Sequence, residues 1–306
     1  MKILSIFAVI LIFALMGCSE EDELVTMSTT TTSQLTLNIN GLEDLGNTAV
    51  YEGWIIVPAP AKSNSSAAGT PVSTGTFTVN ANGELSQTKF DIDADDLANA
   101  TTFILTIEPN PDSDSNPSSV HILAGDFSND LANINVSHGA ALGDDFSSST
   151  GEYILATPTN GADTDENSGI WFLSLTSGSP AQGLNLPTLP DGWTYEGWVV
   201  INGTPVTTGT FLNTTVVDDA DPYSSTMPGP PFPGEDFLIN APMNLNFPID
   251  IMGGVAVISI EPSPDNSPNP FTLKPLVGNI PVGAVDHTTY MMNTNLSSFP
   301  SGSVTR

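Results

Sequence analysis

Positive charge is scarce in this sequence. Among 306 residues, lysine and arginine together number 5, whereas aspartate and glutamate number 34, so the formal net charge is −29. A chain of this charge repels phosphate backbones and anionic lipid surfaces. We therefore expect no nucleic-acid partner.

Cysteine and histidine are also scarce, which limits the chemistry available to the side chains. Cys18 is the single cysteine, so no disulfide can form within the chain and no thiolate metal cluster exists. The three histidines, His121, His138 and His287, have no spacing typical of a metal site. Gly-x-Ser-x-Gly, His-Glu-x-x-His and phosphate-loop motifs are missing as well. The sequence thus predicts no catalytic residues, and a hydrolase that uses some of the many carboxylates is kept as an alternative.

No apolar run is long enough to cross a bilayer comfortably. Ile3–Met16 is shorter than the ~20 residues that a span needs, and it follows a basic start, which is typical of a secretory signal. Leu15–Cys18 resembles a bacterial lipobox. That resemblance implies cleavage before Cys18 and acylation of this cysteine, hence a signal peptide over residues 1–17 and a membrane partner through the lipid anchor. A plain signal peptide with an incidental cysteine is the alternative.

Residues 18–33 are rich in acidic residues and threonine, and we expect them to form a tether. Ser19 is not the aspartate that usually retains lipoproteins in the inner membrane, which favours the outer membrane. The run Glu20–Glu23 resembles the surface-export signal of some Gram-negative lipoproteins, and a solvated spacer is the alternative. The predicted location is the cell envelope, and the sequence does not distinguish the periplasmic face of the membrane from the cell surface.

The composition that remains is typical of an all-β protein. Glycine (26) and proline (25) are plentiful, and Val, Ile, Thr and Phe dominate between them. A length of 306 residues corresponds to about two domains at ~150 residues each.

Three motifs occur twice in the same order, which indicates a duplicated unit. The unit is too long for a solenoid repeat of about 20–50 residues. The paired segments are Tyr51–Trp54 and Tyr195–Trp198 (Tyr-Glu-Gly-Trp), Gly69–Phe77 and Gly203–Phe211, and Ile104–Pro117 and Val257–Pro270, the last pair containing Ile-Glu-Pro.

The duplication predicts two tandem Ig-like β-sandwich domains. Module 1 is expected over residues 34–160 and module 2 over 161–290, with a C-terminal tail at 291–306. Pro58–Ala68 and Asp218–Asp236 are predicted to be loop insertions.

The Tyr-Glu-Gly-Trp signature is predicted to lie on a strand. Alternate residues share a face, so Tyr195 and Gly197 lie opposite Glu196 and Trp198, and the glycine allows a bulge or a close approach of backbone. The Asn-Gly step at 202–203 predicts a hairpin turn. The signature is either core packing or part of a ligand site; its candidate ligand-binding residues are Tyr51, Trp54, Tyr195 and Trp198.

The repeated Glu-Pro pair is the strongest candidate for a functional acid. Glu108 and Glu261 each stand at the end of a predicted strand, where the following proline stops the ladder. Each glutamate either contacts a ligand or terminates the strand by accepting hydrogen bonds from neighbouring loop amides.

Two acidic loops have the alternating oxygen ligands that begin a calcium-binding loop. The first contains Asp112, Asp114 and Asn116. The second contains Asp163, Asp165 and Asn167. Neither has the glycine or the glutamate that the full loop pattern requires, so chance spacing among 34 acids is the alternative. Calcium is the one cofactor that the sequence suggests.

The repeated motifs resemble the extracytoplasmic domain of anti-sigma-K factors. The resemblance implies a β-sandwich, and it covers about two thirds of the chain that follows the signal peptide. The positions that carry it are Tyr51, Trp54, Gly75, Phe77, Glu108 and Pro109, then Tyr195, Trp198, Gly209, Phe211, Glu261 and Pro262. A sigma-binding segment with its zinc motif and a membrane-spanning helix are not recognisable, so we expect no direct binding of a sigma factor.

These observations together predict a non-catalytic lipoprotein of the cell envelope. Its tandem modules would bind an envelope or extracellular ligand or act in envelope sensing. The alternative is a structural or adhesive surface protein without a specific ligand.

Overall fold

Strand is the dominant secondary structure in the computed structural model, which describes residues 31–59, 69–265 and 267–306. This part of the chain is nearly all β, with 41% strand and 6% helix, which confirms the all-β prediction. The predicted signal peptide, Cys18 and most of the tether lie outside the described residues, as do residues 60–68 of the first predicted insertion.

The described segments contain twenty strands, one α-helix and three short 3-10 helices. Asp93 caps the α-helix by accepting hydrogen bonds from the amides of Asp95 and Asp96. The first strands are β1 (Thr32–Asn40), β2 (Ala49–Val57), β3 (Thr70–Phe77), β4 (Lys89–Asp93), β5 (Thr102–Pro109), β6 (His121–Ser128), β7 (Leu131–Asn135), β8 (Thr150–Leu155), β9 (Gly169–Trp171) and β10 (Leu173–Ser174). The others are β11 (Ala181–Gln182), β12 (Leu184–Asn185), β13 (Trp193–Ile201), β14 (Thr204–Phe211), β15 (Gly234–Asp236), β16 (Val255–Pro262), β17 (Leu276–Asn279), β18 (Tyr290–Met291), β19 (Asn293–Thr294) and β20 (Ser301–Thr305). The helices are α1 (Ala94–Asn99) and the 3-10 helices Pro158–Asn160, Glu166–Ser168 and Leu296–Ser298.

Each copy of the repeat is built on an antiparallel hairpin with the same register. Tyr51 of β2 lies opposite Phe77 of β3, and Tyr195 of β13 lies opposite Phe211 of β14. In both hairpins the register shifts directly after the glycine of the signature, which is the predicted bulge. The duplicated sequence therefore folds into the same local structure twice.

The turn of the second hairpin forms where the Asn-Gly step predicts it. Asn202 and Gly203 have φ values of 51° and 84°, the left-handed conformation that two-residue hairpin turns require. An asparagine and a glycine adopt this conformation at low cost, so the two residues determine where β13 ends and β14 begins.

The signature glycine is required by a threonine hydroxyl and an aromatic ring, both packed against the strand. A Cβ atom on Gly53 would lie 2.4 Å from Thr74 Oγ1 and 2.9 Å from the ring of Phe103. A Cβ atom on Gly197 would lie 2.2 Å from Thr208 Oγ1 and 2.7 Å from the ring of Phe172. Phe103 belongs to the neighbouring strand β5, whereas Phe172 lies between β9 and β10. The two copies thus fill the same space with phenylalanines from different parts of the chain.

The strand order next to each hairpin is also shared. The first copy has the order β3-β2-β5-β6 and the second has β14-β13-β16-β17, with every pair antiparallel. Beyond these strands the copies differ. The first continues through β7, β20, β1 and β4 into an eight-stranded sheet, and the second ends at β19.

The segment that the sequence suggests is a tail contributes a central strand instead. β20 lies between β7 and β1 and pairs with both over five residues. Val304 is fully buried in the core. Arg306 donates hydrogen bonds to the carbonyls of Leu97, Ala100 and Asn129, which hold the end of the strand in place. Residues 301–305 contain a single large apolar residue, Val304, so the pattern of apolar and polar residues does not predict the strand.

The two copies share one core. Residues from Thr32 to Arg306 form a single compact unit, whereas the sequence predicts two modules divided at residue 160. β8, which the predicted division assigns to module 1, pairs with β9, β12 and β18. One buried hydrophobic cluster includes Leu35 and Phe103 from the first copy and Ile258 and Phe271 from the second.

Candidate functional site

The tyrosines of the repeated signature are core residues. Tyr51 donates a hydrogen bond to the carbonyl of Glu43 (3.0 Å), and Tyr195 donates one to the carbonyl of Pro187 (2.7 Å). In each case the acceptor lies eight residues upstream of the tyrosine. The Tyr51 ring stacks on Phe77 at a centroid distance of 5.5 Å. Each tyrosine therefore holds the chain entering its strand against the core.

The tryptophans of the signature are buried as well and bond to equivalent hydroxyls. Trp54 Nε1 donates to Thr106 Oγ1 (2.9 Å), and Trp198 Nε1 donates to Ser259 Oγ (2.8 Å). In the first copy the Thr106 hydroxyl in turn donates to Glu108. In the first copy this chain of hydrogen bonds links the signature to the Glu-Pro pair, and in the second copy the Ser259 hydroxyl lies beside Glu261 in the same way.

The glutamates of the signature are also used internally. Glu52 accepts a hydrogen bond from the Ser73 hydroxyl, and Glu196 accepts one from the Thr207 hydroxyl at the equivalent position. Burial raises the pKa of both carboxyls, to about 8 for Glu196. All the side chains of the signature thus contact the interior of the protein, although Tyr51, Trp54, Tyr195 and Trp198 were candidates for ligand contact.

The glutamates of the two Glu-Pro pairs close equivalent loops. Glu108 accepts a hydrogen bond from the amide of Ser118 (2.9 Å), and Glu261 accepts one from the amide of Phe271 (2.8 Å). Both donors lie ten residues after their glutamate, and a proline-rich loop lies between. Both glutamates are buried, with 1% and 0% of their surface exposed. Each carboxylate therefore terminates its strand and braces the loop that follows.

The two Glu-Pro pairs, far apart in sequence, line one pocket. We define the Glu-Pro pocket as the cavity of about 530 Å³ lined by residues 43–46, 48–49, 107–109, 118–120, 261–265, 267 and 271. Its volume lies within the ~300–1,000 Å³ that ligand pockets occupy. Glu108 comes from the first copy and Glu261 from the second, so the cavity exists only because the copies pack together.

The Glu-Pro pocket contains an unusual arrangement of charge. Burial raises the pKa of Glu43 and of Glu261 to about 7 in each case. Lys274 is the cation that both carboxyls face, and burial lowers its pKa. Its ammonium group donates a hydrogen bond to the carbonyl of Phe271. Among the described residues, Glu261 Oε2 has no hydrogen-bond partner.

Glu43 and Asp265, which line the pocket, and Lys274, which faces two of its carboxyls, were not predicted from the sequence. Glu43 and Asp265 are two of 34 acids, so nothing in the sequence distinguishes them. Lys274 carried a usable signal, since it is one of only 5 basic residues and lies four positions after the repeated proline-rich loop.

The first predicted calcium loop is exposed, and its oxygens accept hydrogen bonds from its own backbone. Asp112 Oδ1 accepts a hydrogen bond from the amide of Asp114, and Asp114 Oδ1 accepts one from the amide of Asn116. These are consecutive turns closed by aspartate side chains.

The second predicted calcium loop lines a polar cavity of about 370 Å³. Asp163, Asp165 and Asn167 lie along it, together with Asp250 and Asp286. In residues 31–59, 69–265 and 267–306, no three or more His, Cys, Asp or Glu side chains are grouped so that they could hold a metal ion. Calcium binding at either loop stays a prediction.

A second pair of buried acids, not predicted from the sequence, organises the second insertion. Asp236 accepts hydrogen bonds from Trp171 Nε1 and from the amide of Thr159, at 2.8 Å each. Glu235 accepts from the Ser224 hydroxyl and the Tyr223 amide, and burial raises its pKa to about 8. These contacts hold the insertion to the rest of the fold.

Comparisons with protein-family models, with curated proteins and with solved structures give no match to this chain. None of the helices in the described segments has the length and hydrophobicity that crossing a membrane requires.

Proposed function

We propose that this chain is a non-catalytic, lipid-anchored protein of the cell envelope that binds a small ligand in the Glu-Pro pocket. The observation that carries the proposal is the convergence of Glu108 and Glu261 on one cavity of about 530 Å³. Glu261 adds a buried carboxylate oxygen with no hydrogen-bond partner among the described residues. Such an oxygen costs free energy unless a ligand in the pocket donates a hydrogen bond to it.

We also propose that the two copies are related β-sandwich modules of the anti-sigma-K type, adapted for binding or sensing at the outer membrane. The shared hairpin register and the shared strand order support a common ancestry for the copies. A ligand held between them would change how the copies pack, which is how a sensor could report its presence.

A pocket-filling variant tests the binding proposal. Thr48 is exposed and lines the pocket, so T48W should fill its mouth without disturbing the core. We expect at least one of 1-naphthylmethylamine, 1-naphthalenemethanol and 1-naphthoate to shift the amide resonances of Ser118 and Phe271 in the full chain. In T48W the affinity should fall by about tenfold or more, equivalent to ~1.4 kcal/mol.

T88W is the matched control for this experiment. Thr88 is an exposed threonine that does not line the pocket, and its backbone carbonyl accepts a hydrogen bond just as that of Thr48 does. T88W should bind the probes as the unaltered chain does. Equal weakening in both variants, or no shift with any probe, would contradict a ligand site in this pocket.

A structural or adhesive role without a ligand is the second candidate. The observation that favours it is the internal use of every side chain of the repeated signature. If the probes fail to bind, this alternative becomes the better account.

The proposed anchor has its own test. If Cys18 is acylated, Cys18→Ser should move the protein from the membrane fraction to the soluble fraction, because acyl chains contribute ~0.8 kcal/mol for each buried methylene. Cell fractionation followed by immunoblotting measures the distribution. Unchanged attachment of the variant would rule out the lipobox interpretation.

A further inference from the structure

We propose that the Glu-Pro pocket takes an organic cation, a primary amine or guanidinium on an apolar body, and that Glu261 receives its charge. The inference rests on the proposed function, since it assigns a ligand class to the same pocket. The two copies differ at their equivalent glutamates.

Glu108 and Glu261 occupy the same place in the repeat but are not equally satisfied. Both oxygens of Glu108 accept hydrogen bonds, Oε1 from Ser118 and Thr106 and Oε2 from Ser118 at 3.2 Å. Glu261 Oε1 accepts from the amide of Phe271 and the carboxyl lies beside the Ser259 hydroxyl, whereas Oε2 has no hydrogen-bond partner among the described residues. A buried carboxylate oxygen without a donor costs free energy, which a ligand N–H would recover.

The other charged groups of the pocket favour a cation over an anion. Glu43, Asp44, Glu108 and Asp265 line it together with Glu261. The nearby Lys274 donates to the Phe271 carbonyl, and none of its hydrogen bonds reaches Glu261 Oε2. An anionic ligand would meet like charges, and a neutral ligand would leave most of this negative potential uncompensated.

The apolar part of the lining favours an organic cation over a bare metal ion. Leu45, Ile107, Val120, Pro262 and Phe271 contribute apolar surface to the pocket. A hydrated metal ion gains nothing from such an apolar wall. A hydrocarbon body, by contrast, gains ~25 cal/mol of favourable free energy for each Å² of apolar surface removed from water.

The pH dependence of binding should follow the carboxyls that the amine meets. Glu261 faces Glu43, Asp265 of its own loop, Glu196 of β13 and Lys274. Because burial raises the pKa of Glu43 and of Glu261 to about 7, both carry more charge at pH 8 than at pH 6. An amine that stays protonated over this range should therefore bind more tightly at the higher pH.

The three naphthyl probes test the ligand class in the full chain. At about 0.5 M NaCl, where the Debye length falls below ~5 Å, general attraction to an acidic protein is screened. We expect 1-naphthylmethylamine to bind at least about tenfold more tightly than 1-naphthalenemethanol, as a charge-assisted hydrogen bond allows, and 1-naphthoate not to bind. The amine should also bind more tightly at pH 8 than at pH 6, with the alcohol unaffected.

A charge-removing pair of variants assigns the contact to Glu261. Glu261→Gln should weaken the amine by about tenfold or more and leave the alcohol unchanged. Glu152→Gln is the matched control, since it makes the same chemical change on β8 outside the pocket and should alter amine binding by less than about twofold.

The outcomes separate the two proposals. Equal binding of amine and alcohol, or an amine affinity that E261Q does not change, overturns the inference and leaves the pocket as a ligand site. Failure of all three probes overturns the proposed function. If E261Q does not fold, the comparison of the probes and the pH dependence in the unaltered chain still decide the ligand class.

Discussion

Val304→Asp should destabilise the protein severely. Val304 is fully buried in the sheet between β7 and β1, so the variant places an unpaired carboxylate in the core. Burying a charge without a partner costs about 4 kcal/mol or more, which lowers the melting temperature by about 10 °C in a protein of this size. Thermal unfolding followed by circular dichroism measures the change.

Thr305→Asp provides the matched control on the same strand. The Thr305 side chain is exposed, so the same substitution one position away should lower the melting temperature by a few degrees at most. Equal effects of the two variants would show that residues 301–305 are not a strand of this sheet. The comparison therefore tests whether the C-terminal segment completes the sheet of the first copy.

The protein should be considerably more stable at pH 5 than at pH 8.5. Burial raises the pKa of five carboxyls to about 7 or 8, namely Glu43, Glu196, Asp218, Glu235 and Glu261. The folded state therefore binds protons more readily than the unfolded state. The stabilisation is complete below the unfolded pKa of 4.5 for Glu or 3.8 for Asp and is lost as pH rises through 7 to 8.

The size of this effect follows from the pKa shifts. One pKa unit corresponds to about 1.4 kcal/mol, so several partly coupled groups should change the free energy of unfolding by several kcal/mol. Relief of self-repulsion in a chain of charge −29 acts in the same direction. Lys274 acts in the opposite direction, because its lowered pKa makes the folded state gain stability toward alkaline pH.

Two controls separate the buried carboxyls from the general charge. At about 0.5 M NaCl the surface repulsion is screened, but the buried groups keep their effect. Glu235→Gln should reduce the difference in melting temperature between pH 5 and pH 8.5, whereas Glu84→Gln at an exposed site should not. A melting temperature that rises toward pH 8.5 at high salt would contradict the assigned direction.

The fold class and the repeated hairpins could be predicted from the sequence because their signals are local. The Asn202–Gly203 step determines a turn through its own backbone preferences, and the signature glycine marks a close approach within its own strand. The position of β20 could not be predicted. Its pairing with β1 joins residues more than 260 positions apart, and in residues 301–305 only Val304 is fully buried.

The Glu-Pro pocket could likewise be predicted only in the parts that depend on local sequence. Glu108 and Glu261 could be predicted as candidate site residues because the Glu-Pro pair is repeated. Each accepts a hydrogen bond from an amide of its own loop, as one of the two interpretations of the pair predicted. The sequence does not predict that the two Glu-Pro loops line the same pocket, because their proximity depends on how one copy packs against the other. Glu235 and Asp236 were missed because acids are common in this chain and rarely buried in general.

The most direct test of the account is a single NMR titration with 1-naphthylmethylamine, in which the amides of Ser118 and Phe271 are followed together. These amides donate to Glu108 and to Glu261, one in each copy of the repeat. If one ligand occupies one pocket formed by both copies, the two resonances must shift along the same binding curve with the same Kd. Two different curves, or a shift confined to one of the two amides, would contradict a shared site.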